Sequence, residues 1–331
     1  MFRLELANGL FGDPLVVVRL PWIPRVTLLD AGDAVALGPR TLLDVADVLV
    51  SHAHVDHVFG LARVLRARLG HRDRPLRLVG PPGLCAQVRS HFDLYSWNLV
   101  DAFPLDLAVV ELHDGAAETW RLPRQGSFEP DLASRAALAP GAAVVGDELL
   151  QVRALALDHG GIPSIAYRVE ERQAINIDAA ALERCGLAPG PWLGSLKDAV
   201  RRGTLDGTLQ LPGGSSAPVR ELASQLVRVG DGDSLVYAAD IGPRDDNLAA
   251  LAEFARGARL LIIETHYRDA ERGLAERNAH LTAADAGRVA RAAGVRAVAP
   301  LHLSPRYEDA ADAVLDELAR AADPVPLELL A

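Results

Sequence analysis

The chain has almost no lysine and almost no cysteine. Lys197 is the only lysine among its 331 residues, and Cys85 and Cys185 are the only cysteines. Two cysteines are too few for a disulfide framework, and neither belongs to a Cys-x-x-Cys pair of the kind that holds structural zinc. We therefore expect both thiols to be reduced and buried.

The chain also lacks an excess of positive charge and a long apolar run. With 34 Lys and Arg against 44 Asp and Glu, the formal net charge is -10, so any RNA contact must come from a local arginine patch. No run of about 18 apolar residues occurs without a charge or a proline, and the first residues do not resemble an export signal. We expect a cytoplasmic protein that does not contact membranes, with a core large enough for an α/β domain.

The most informative segment is Ser-His-Ala-His-Val-Asp-His at residues 51–57, directly after the apolar stretch Val45–Val50. Three histidines and an aspartate supply imidazole nitrogens and a carboxylate, the ligands that suit zinc. A strand that ends in a tight turn can aim alternate side chains at one ion and the next two at a second ion. The segment therefore predicts half of a two-metal hydrolytic site.

Four later apolar stretches are also followed by a histidine or a carboxylate. They are Leu149–Leu157 before Asp158-His159, Leu235–Ala239 before Asp240, Leu260–Ile263 before Glu264, and Val295–Leu301 before His302. We read each stretch as a strand that ends in a candidate ligand or acid. Thr282 to Asp285 is similar to a capping box and predicts a helix that runs through Ala293 and stops at Gly294. His280 lies just ahead of the positive end of that helix.

Two segments differ from the rest of the chain in amino-acid composition and in hydrophobic periodicity. Residues 113–150 are rich in Ala, Gly and Pro with little periodicity, and they predict a surface excursion. Residues 171–220 combine a short helical stretch, Asp178–Arg184, with glycine and proline motifs. We interpret them as an arm inserted into a single domain that spans residues 1–331.

The candidate ligands resemble those of the metallo-β-lactamase fold, and the flanking motifs resemble its ribonuclease Z branch. The motifs that carry this resemblance are Phe59-Gly60-Leu61, Gly80-Pro81, Ala166-Tyr167-Arg168, Gly186-Leu-Ala-Pro-Gly-Pro191, His280-Leu-Thr282-Ala283 and His302-Leu-Ser304-Pro305-Arg306-Tyr307. The resemblance implies an α/β protein built as a four-layer αββα metallo-β-lactamase-like sandwich with an inserted arm.

The resemblance also implies two Zn²⁺ ions per chain, with other divalent metals as the alternative. The implied ligands are His52, His54 and His159 for one ion, Asp56, His57 and His302 for the other, and Asp240 as the bridge. Asp56 is expected to orient or deprotonate the attacking water, and His280 to protonate the departing 3′ oxygen. Glu264 is expected to orient His280.

The function that the resemblance implies is an endonuclease that removes 3′ extensions from precursor tRNA as a homodimer. In this family the arm grips the tRNA, so Lys197, Arg201 and Arg202 of the arm are expected to bind phosphates, and Arg306 is a further candidate contact. The alternative for the arm is an exposed insertion whose cations are only solvated.

Two other functions stay open. Relatives carry a glycine-rich turn and a Pro/Lys/Arg/Asn loop beside the tRNA end, and Leu6–Leu20 contains no such loop. That difference favours a hydrolase of small phosphodiesters or carbonyl esters that does not act on tRNA. A non-catalytic RNA-binding protein that keeps the zinc scaffold is the third reading.

Four histidines lack a ligand-like context and are predicted to be surface or structural residues. They are His71, His91, His113 and His266. Of these, His266 follows Glu264 at a strand end, where it would line the cleft.

Overall fold

The structure, a computed structural model, describes residues 2–69, 75–98, 105, 107–123 and 128–331. The chain divides into two compact units. The larger unit comprises Phe2–Asp147, Gln151–Val169 and Ser234–Ala331, and the smaller unit comprises Glu148–Leu150 and Glu170–Asp233.

The larger unit contains two β-sheets, and the first has eight strands arranged in chain order. Its strands are β1 (Arg3–Leu6), β2 (Val16–Arg19), β3 (Val26–Leu29), β4 (Val45–Leu49), β5 (Leu76–Gly80), β6 (Leu107–His113), β7 (Ala116–Arg121) and β8 (Asp131–Ala137). The central strands β3 to β6 are parallel, and the outer neighbours pair antiparallel. The carboxyl ends of the four central strands therefore meet at one edge of the sheet.

The second sheet has six strands in a mixed order. Across the sheet they are β18 (Ala297–Leu301), β17 (Leu260–Glu264), β16 (Ser234–Ala238), β11 (Ile162–Glu171), β10 (Leu150–His159) and β9 (Ala143–Gly146). Strands β16, β17 and β18 are parallel. Their carboxyl ends also meet at a single edge of the sheet. Asp240, Glu264 and His302, the three residues predicted to end these strands, therefore lie at the same edge.

Helices cover the outer faces of both sheets. The helices of the larger unit are α1 (Pro39–Asp44), α2 (Val55–Val58), α3 (Leu61–Arg68), α4 (Leu84–Phe92), α8 (Asp245–Phe254), α9 (Arg272–Asn278), α10 (Ala283–Ala293) and α11 (Ala311–Ala322), of which α2 carries Asp56 and His57 instead of covering a sheet. Val48 of β4 shares a core with Leu61 of α3, and Leu49 on the opposite face of β4 is buried as well. Leu261 of β17 likewise shares a core with Val289 of α10. Because the central strands of each sheet bury one face against helices and the other against the partner sheet, the predicted αββα sandwich is confirmed.

Tyrosine hydroxyls link the two sheets. The hydroxyl of Tyr167 on β11 donates to the carbonyl oxygen of Val50 at 2.7 Å. The hydroxyl of Tyr237 on β16 donates to Asp30 Oδ2 at 2.6 Å. Since buried polar groups are costly when unpaired, these bonds fix how the carboxyl ends of the two sheets face each other.

The helix predicted from the capping box is confirmed. The Thr282 side chain accepts a hydrogen bond from the Asp285 backbone, and the Asp285 carboxylate accepts one from the Thr282 backbone. The helix α10 ends at Gly294, whose φ of 60° is the left-handed conformation that glycine adopts without strain.

Residues 113–150, which the sequence predicts to be a surface excursion, include regular strands among their described residues. This segment holds β7, β8 and β9, which extend the edges of the two sheets. Every residue of β8 is exposed, so neither face of that strand is buried. An edge strand of this kind needs no alternation of apolar and polar residues, and the sequence therefore carries no period for it.

The smaller unit has an apolar core of its own. It contains the helices α5 (Ala179–Arg184), α6 (Trp192–Arg201) and α7 (Val219–Leu226) and the antiparallel pairs β12 (Ala174–Ile177) with β15 (Val227–Gly230) and β13 (Thr208–Gln210) with β14 (Ser216–Pro218). Trp192 and Leu196 of α6 pack in this core with Leu222 and Leu226 of α7. The predicted arm, residues 171–220, lies within this unit, which continues to Asp233.

Every helix in the described part of the chain is too short or too polar to cross a lipid bilayer.

Candidate metal centre

The candidate ligands lie where strands of the two sheets end. His52 comes shortly after β4, Asp240 after β16 and His302 after β18, and His159 is the last residue of β10. Parallel strands place their carboxyl ends together, and crevices at such ends are common ligand sites in α/β proteins. Residues far apart in the sequence can therefore meet here.

A first group consists of His52, His54, His159 and Asp240, whose ligand atoms lie within 4.8 Å of one another. Asp240 Oδ2 is 3.7 Å from His52 Nε2 and 3.7 Å from His159 Nε2. The carbonyl oxygen of Ala279 accepts a hydrogen bond from His159 Nδ1 at 2.8 Å, which turns Nε2 of that ring inward. His54 is exposed while the other three are buried, so the group opens to solvent on the His54 side.

A second group consists of Asp56, His57 and His302, also within 4.8 Å of one another. Asp56 Oδ2 is 3.5 Å from His57 Nε2 and 3.6 Å from His302 Nε2. Asp240 Oδ2 is 3.5 Å from His57 Nε2, and Asp240 Oδ1 pairs with His302 Nδ1 at 2.7 Å. The carboxylate of Asp240 therefore contacts both groups.

Two buried ring nitrogens test whether these groups suit metal ions. His52 Nε2 and His57 Nε2 are buried and have no hydrogen-bond partner among the described residues. An unpaired buried polar atom is rare in a folded protein, and coordination to a metal ion is one way to satisfy it. Because imidazole and carboxylate donors converge on both nitrogens, the residues fit divalent metal ions.

The charges of the site also fit a metal ion. Burial, together with the neighbouring His57, lowers the pKa of His52 to about 2, so this ring is neutral, as a ligand must be. Burial opposes a charge on His57, but the carboxylates of Asp30 and Asp240 outweigh it and raise the pKa of His57 well above its usual range. Burial likewise opposes a charge on Asp240, yet His57 and His302 hold its pKa well below the usual range. Metal binding at His57 therefore displaces a proton.

Asp30 supports His57 through its Nδ1, and it is not among the site residues predicted from the sequence. Asp30 Oδ2 pairs with His57 Nδ1 at 2.7 Å and accepts hydrogen bonds from the hydroxyls of Ser51 and Tyr237 at 2.7 and 2.6 Å. Because the carboxylate accepts the Nδ1 proton, Nε2 of His57 is left to face the second group. The available signal was its position directly after the apolar stretch that forms β3, the same position that marks Asp240 after β16 and Glu264 in β17.

We expect Asp30→Asn to weaken metal binding by about 10- to 100-fold, the usual effect of losing such an outer partner. The amide can turn a donor towards His57 Nδ1, which disfavours the tautomer that leaves Nε2 free. Competition with a chromogenic chelator would measure the dissociation constants. Asp316→Asn, a matched change at an exposed position of α11, serves as the control. Equal affinities in the two variants would contradict this role of Asp30.

Three residues of the site share a left-handed backbone conformation. The φ angles of Asp30, Asp240 and His302 are 55°, 52° and 53°. Aspartate and histidine tolerate this region better than most residues, but it still costs about 1–3 kcal/mol each. Strain of this kind is found where a turn must aim a side chain, and here each residue ends a strand at the site.

His280 lies beside Asp240 and is held by Glu264. His280 Nδ1 is 2.8 Å from Glu264 Oε2 and 3.9 Å from Asp240 Oδ2. Glu264 is fully buried, and its other oxygen accepts a hydrogen bond from the backbone of Ile241. Burial opposes a charge on His280, but the charge and hydrogen bond of Glu264 raise its pKa to about 9. At neutral pH this ring therefore carries a proton that it can donate.

His266 is half-buried at the same site, where its ligand atom lies within 4.8 Å of those of Glu264, His280 and His302. Its ring stacks on that of His280, with centroids 4.1 Å apart and an interplanar angle of 13°. Its Nδ1 is 3.0 Å from the carbonyl oxygen of His302. Burial, followed by the charge of His280, lowers the pKa of His266 to about 3. Its place two residues after Glu264 was the only signal for this position in the sequence.

The other histidines that were predicted to lack a ligand-like context lie outside these two groups or outside the described residues, although the ligand atoms of His113, Glu111 and Glu118 lie within 4.8 Å of one another. His91 Nε2 is 3.2 Å from the Tyr95 hydroxyl. His113 Nε2 is 3.3 Å from Glu111 Oε2 at the end of β6. His71 lies outside the described residues.

The candidate substrate contacts are on two different units. In the smaller unit, Lys197 and Arg201 belong to α6 and Arg202 follows it, with Arg201 paired to Asp198 at 2.7 Å. In the larger unit, the partly exposed Arg306 pairs with Glu271 at 2.7 Å. The roles of these cations in substrate binding stay predictions.

Curated relatives match the chain, although no protein-family model does. The chain is 33% identical to the ribonuclease Z of Deinococcus radiodurans over 264 residues, which cover 80% of this chain and 77% of that relative. Other bacterial relatives carry the same name.

Solved structures show the same fold at low identity. Human tRNase Z, short form, matches with a TM-score of 0.53 and 16% identity over 92% of this chain and 93% of that one. The metallo-β-lactamase fold protein YhfI of Bacillus subtilis matches with a TM-score of 0.55 and 14% identity over 99% of this chain and 96% of that one. At these identities the likeness establishes the metallo-β-lactamase fold alone.

Proposed function

Because the chain belongs to the ribonuclease Z family of metallo-β-lactamase-fold hydrolases, we propose that it removes 3′ extensions from precursor tRNA with two bound Zn²⁺ ions. The observation that carries this proposal is the pair of adjacent ligand groups that share Asp240, with His280 beside them. Such a centre suits the hydrolysis of a phosphodiester. The role implies the cytoplasmic location that the sequence predicts.

The first ion would be held by His52, His54 and His159, the second by Asp56, His57 and His302, and Asp240 would bridge them. When bound, two such ions lower the pKa of a shared water and neutralise charge on the phosphate. The numerous imidazole donors favour zinc over magnesium or calcium, which prefer oxygen ligands. Metal analysis after purification without added metal would test both the identity of the ion and the number of ions per chain.

The protein's own groups would move the two protons of the reaction. Asp56 is partly exposed at the opening of the site, where it can orient the attacking water and accept its proton. The contact of Nδ1 with Glu264 keeps the His280 ring protonated. Its other nitrogen, Nε2, can then donate a proton to the departing 3′ oxygen, which leaves as a hydroxyl.

The decisive experiment gives the metal-loaded protein a 3′-extended precursor tRNA and, separately, bis(p-nitrophenyl) phosphate. Asp56→Ala is the control for both substrates. Cleavage just after the discriminator nucleotide, absent in the variant, would support the proposal. Turnover of the small diester alone would contradict tRNA processing and leave a phosphodiesterase of other specificity.

One observation favours that second candidate, a hydrolase of small phosphodiesters or carbonyl esters. The loop between β1 and β2 carries Asp13, a carboxylate close enough to the site to interact with Asp56. Burial, together with the charges of Asp56 and Asp33, raises the pKa of Asp13. A carboxylate here does not attract a polyanion, whereas the family resemblance implies basic residues at this place.

Replacement of Lys197, Arg201 and Arg202 together by alanine is expected to raise KM for precursor tRNA and leave kcat on the small diester unchanged. Each phosphate contact that is lost should also reduce the slope of log affinity against log salt by about 0.9. Filter binding at several salt concentrations would measure this slope. Arg256→Ala, an exposed arginine of the larger unit, is the control.

A triple variant with the salt slope of the unchanged protein would show that the cations of the arm are only solvated.

We further propose that the protein is a homodimer, as the resemblance implies. Analytical ultracentrifugation of the same preparations would reveal a monomer if this part of the proposal is wrong.

A further inference from the structure

His266 holds one free hydrogen-bond acceptor at the site. Its Nδ1 is 3.0 Å from the backbone carbonyl oxygen of His302. A carbonyl oxygen can only accept, so Nδ1 must carry the proton of this bond. In the neutral ring the remaining nitrogen, Nε2, then has a lone pair and no hydrogen.

Nε2 of His266 is open to the cleft. Within the part of the chain that the structure describes, His266 forms a hydrogen bond through Nδ1 only. Its Nε2 is not among the buried polar atoms that lack a partner, in contrast to Nε2 of His52 and His57. The atom therefore reaches solvent and is available to a substrate.

The chemistry of Nε2 restricts what it can bind. Phosphate oxygens are acceptors and cannot donate to it, whereas a ribose hydroxyl can. The neighbouring ring of His280 is the proposed acid for the departing 3′ oxygen. The 2′ hydroxyl is on the adjacent carbon of the same ribose, and the two rings are adjacent at 4.1 Å. The two adjacent rings can therefore contact the two adjacent oxygens, His280 the departing 3′ oxygen and His266 the 2′ hydroxyl.

We propose that His266 Nε2 accepts a hydrogen bond from the 2′ hydroxyl of the nucleotide whose 3′ oxygen departs. This inference deepens the proposed function and rests on it. His266 would thereby act as a specificity-determining residue that distinguishes ribose from deoxyribose at one nucleotide, since the 2′ hydroxyl is the group by which proteins recognise RNA.

The test compares two precursor tRNAs that differ only at the nucleotide 5′ of the scissile bond, which is either ribose or 2′-deoxyribose. Three proteins are assayed: the unchanged chain, His266→Phe and His266→Gln. Phenylalanine keeps a ring that can stack on His280 but has no acceptor, and glutamine offers an oxygen near the position of Nε2. The quantity measured is the ratio of kcat/KM for the two substrates within each protein, so a general loss of activity cancels.

We expect the unchanged protein to prefer the ribose substrate by about 3- to 10-fold, the value of one ordinary hydrogen bond. The ratio should fall to about one in His266→Phe and be partly retained in His266→Gln. A ratio in His266→Phe equal to that of the unchanged protein would overturn the inference, as would an absence of preference in the unchanged protein. Failure of the unchanged protein to cleave either precursor would instead overturn the proposed function, so the two failures are distinguishable.

Discussion

The Asp240→Ala variant is expected to bind fewer than two metal ions per chain and to hydrolyse both test substrates about 10³-fold more slowly. Asp240 contacts His52, His57 and His159 through one oxygen and His302 through the other. Among the described residues, no other carboxylate lies within 4.0 Å of histidine nitrogens of both ligand groups. Its loss removes the negative charge that brings the two groups together, and several kcal/mol of transition-state stabilisation with it.

Metal content by mass spectrometry and steady-state kinetics at saturating zinc would measure these effects. Asp312→Ala removes an exposed carboxylate from α11 and should change neither quantity. Circular dichroism of the metal-free proteins would establish that Asp240→Ala still folds, and Asp240→Asn provides a second variant of nearly unchanged shape. A variant that keeps two ions and full activity would show that Asp240 does not bridge the groups.

The parts of the site that the sequence revealed are those with a local pattern. The segment from His52 to His57 is compact enough to indicate metal chemistry by itself. Asp240 and His302 were identifiable because each follows an apolar strand, and the parallel order of β16, β17 and β18 brings such strand ends together. The structure places all of these side chains at one edge of the sandwich.

The parts that the sequence concealed depend on contacts between distant elements. Asp30 meets His57 only because β3 and β4 are parallel neighbours, and Tyr237 reaches Asp30 from the other sheet. His266 is at the site because its ring packs against those of His280 and His302. Neither relation leaves a spacing in the sequence, since the partners are set by packing rather than by a local turn.

The strands and helices of the fold likewise divide into those that a local sequence pattern predicts and those that it does not. Buried strands and the capped helix α10 have a period or a terminal signal, and their positions were predicted closely. The exposed strand β8 buries neither face and has no period. Its place in the sheet comes from pairing with β7, which no local pattern of residues 131–137 indicates.

The largest contrast between substrates is expected for His280→Ala. Cleavage of precursor tRNA should slow by about 10²- to 10⁴-fold, the usual contribution of a general acid, because the 3′ oxygen is a basic leaving group that needs a proton. The loss on bis(p-nitrophenyl) phosphate should be much smaller, since p-nitrophenolate leaves readily as an anion. Glu264→Gln should show the same contrast more weakly, because Glu264 raises the pKa of His280 and orients its ring.

Single-turnover rates on both substrates, with metal content measured in parallel, would separate the acid from the metal centre. His91→Ala changes a histidine whose Nε2 contacts Tyr95, and it should alter neither rate. If His280→Ala slowed both substrates equally, the residue would act through the metal ligands and not by protonating the leaving group. A selective loss on tRNA with both ions retained would assign the proton to His280, because only the substrate with the poor leaving group depends on it.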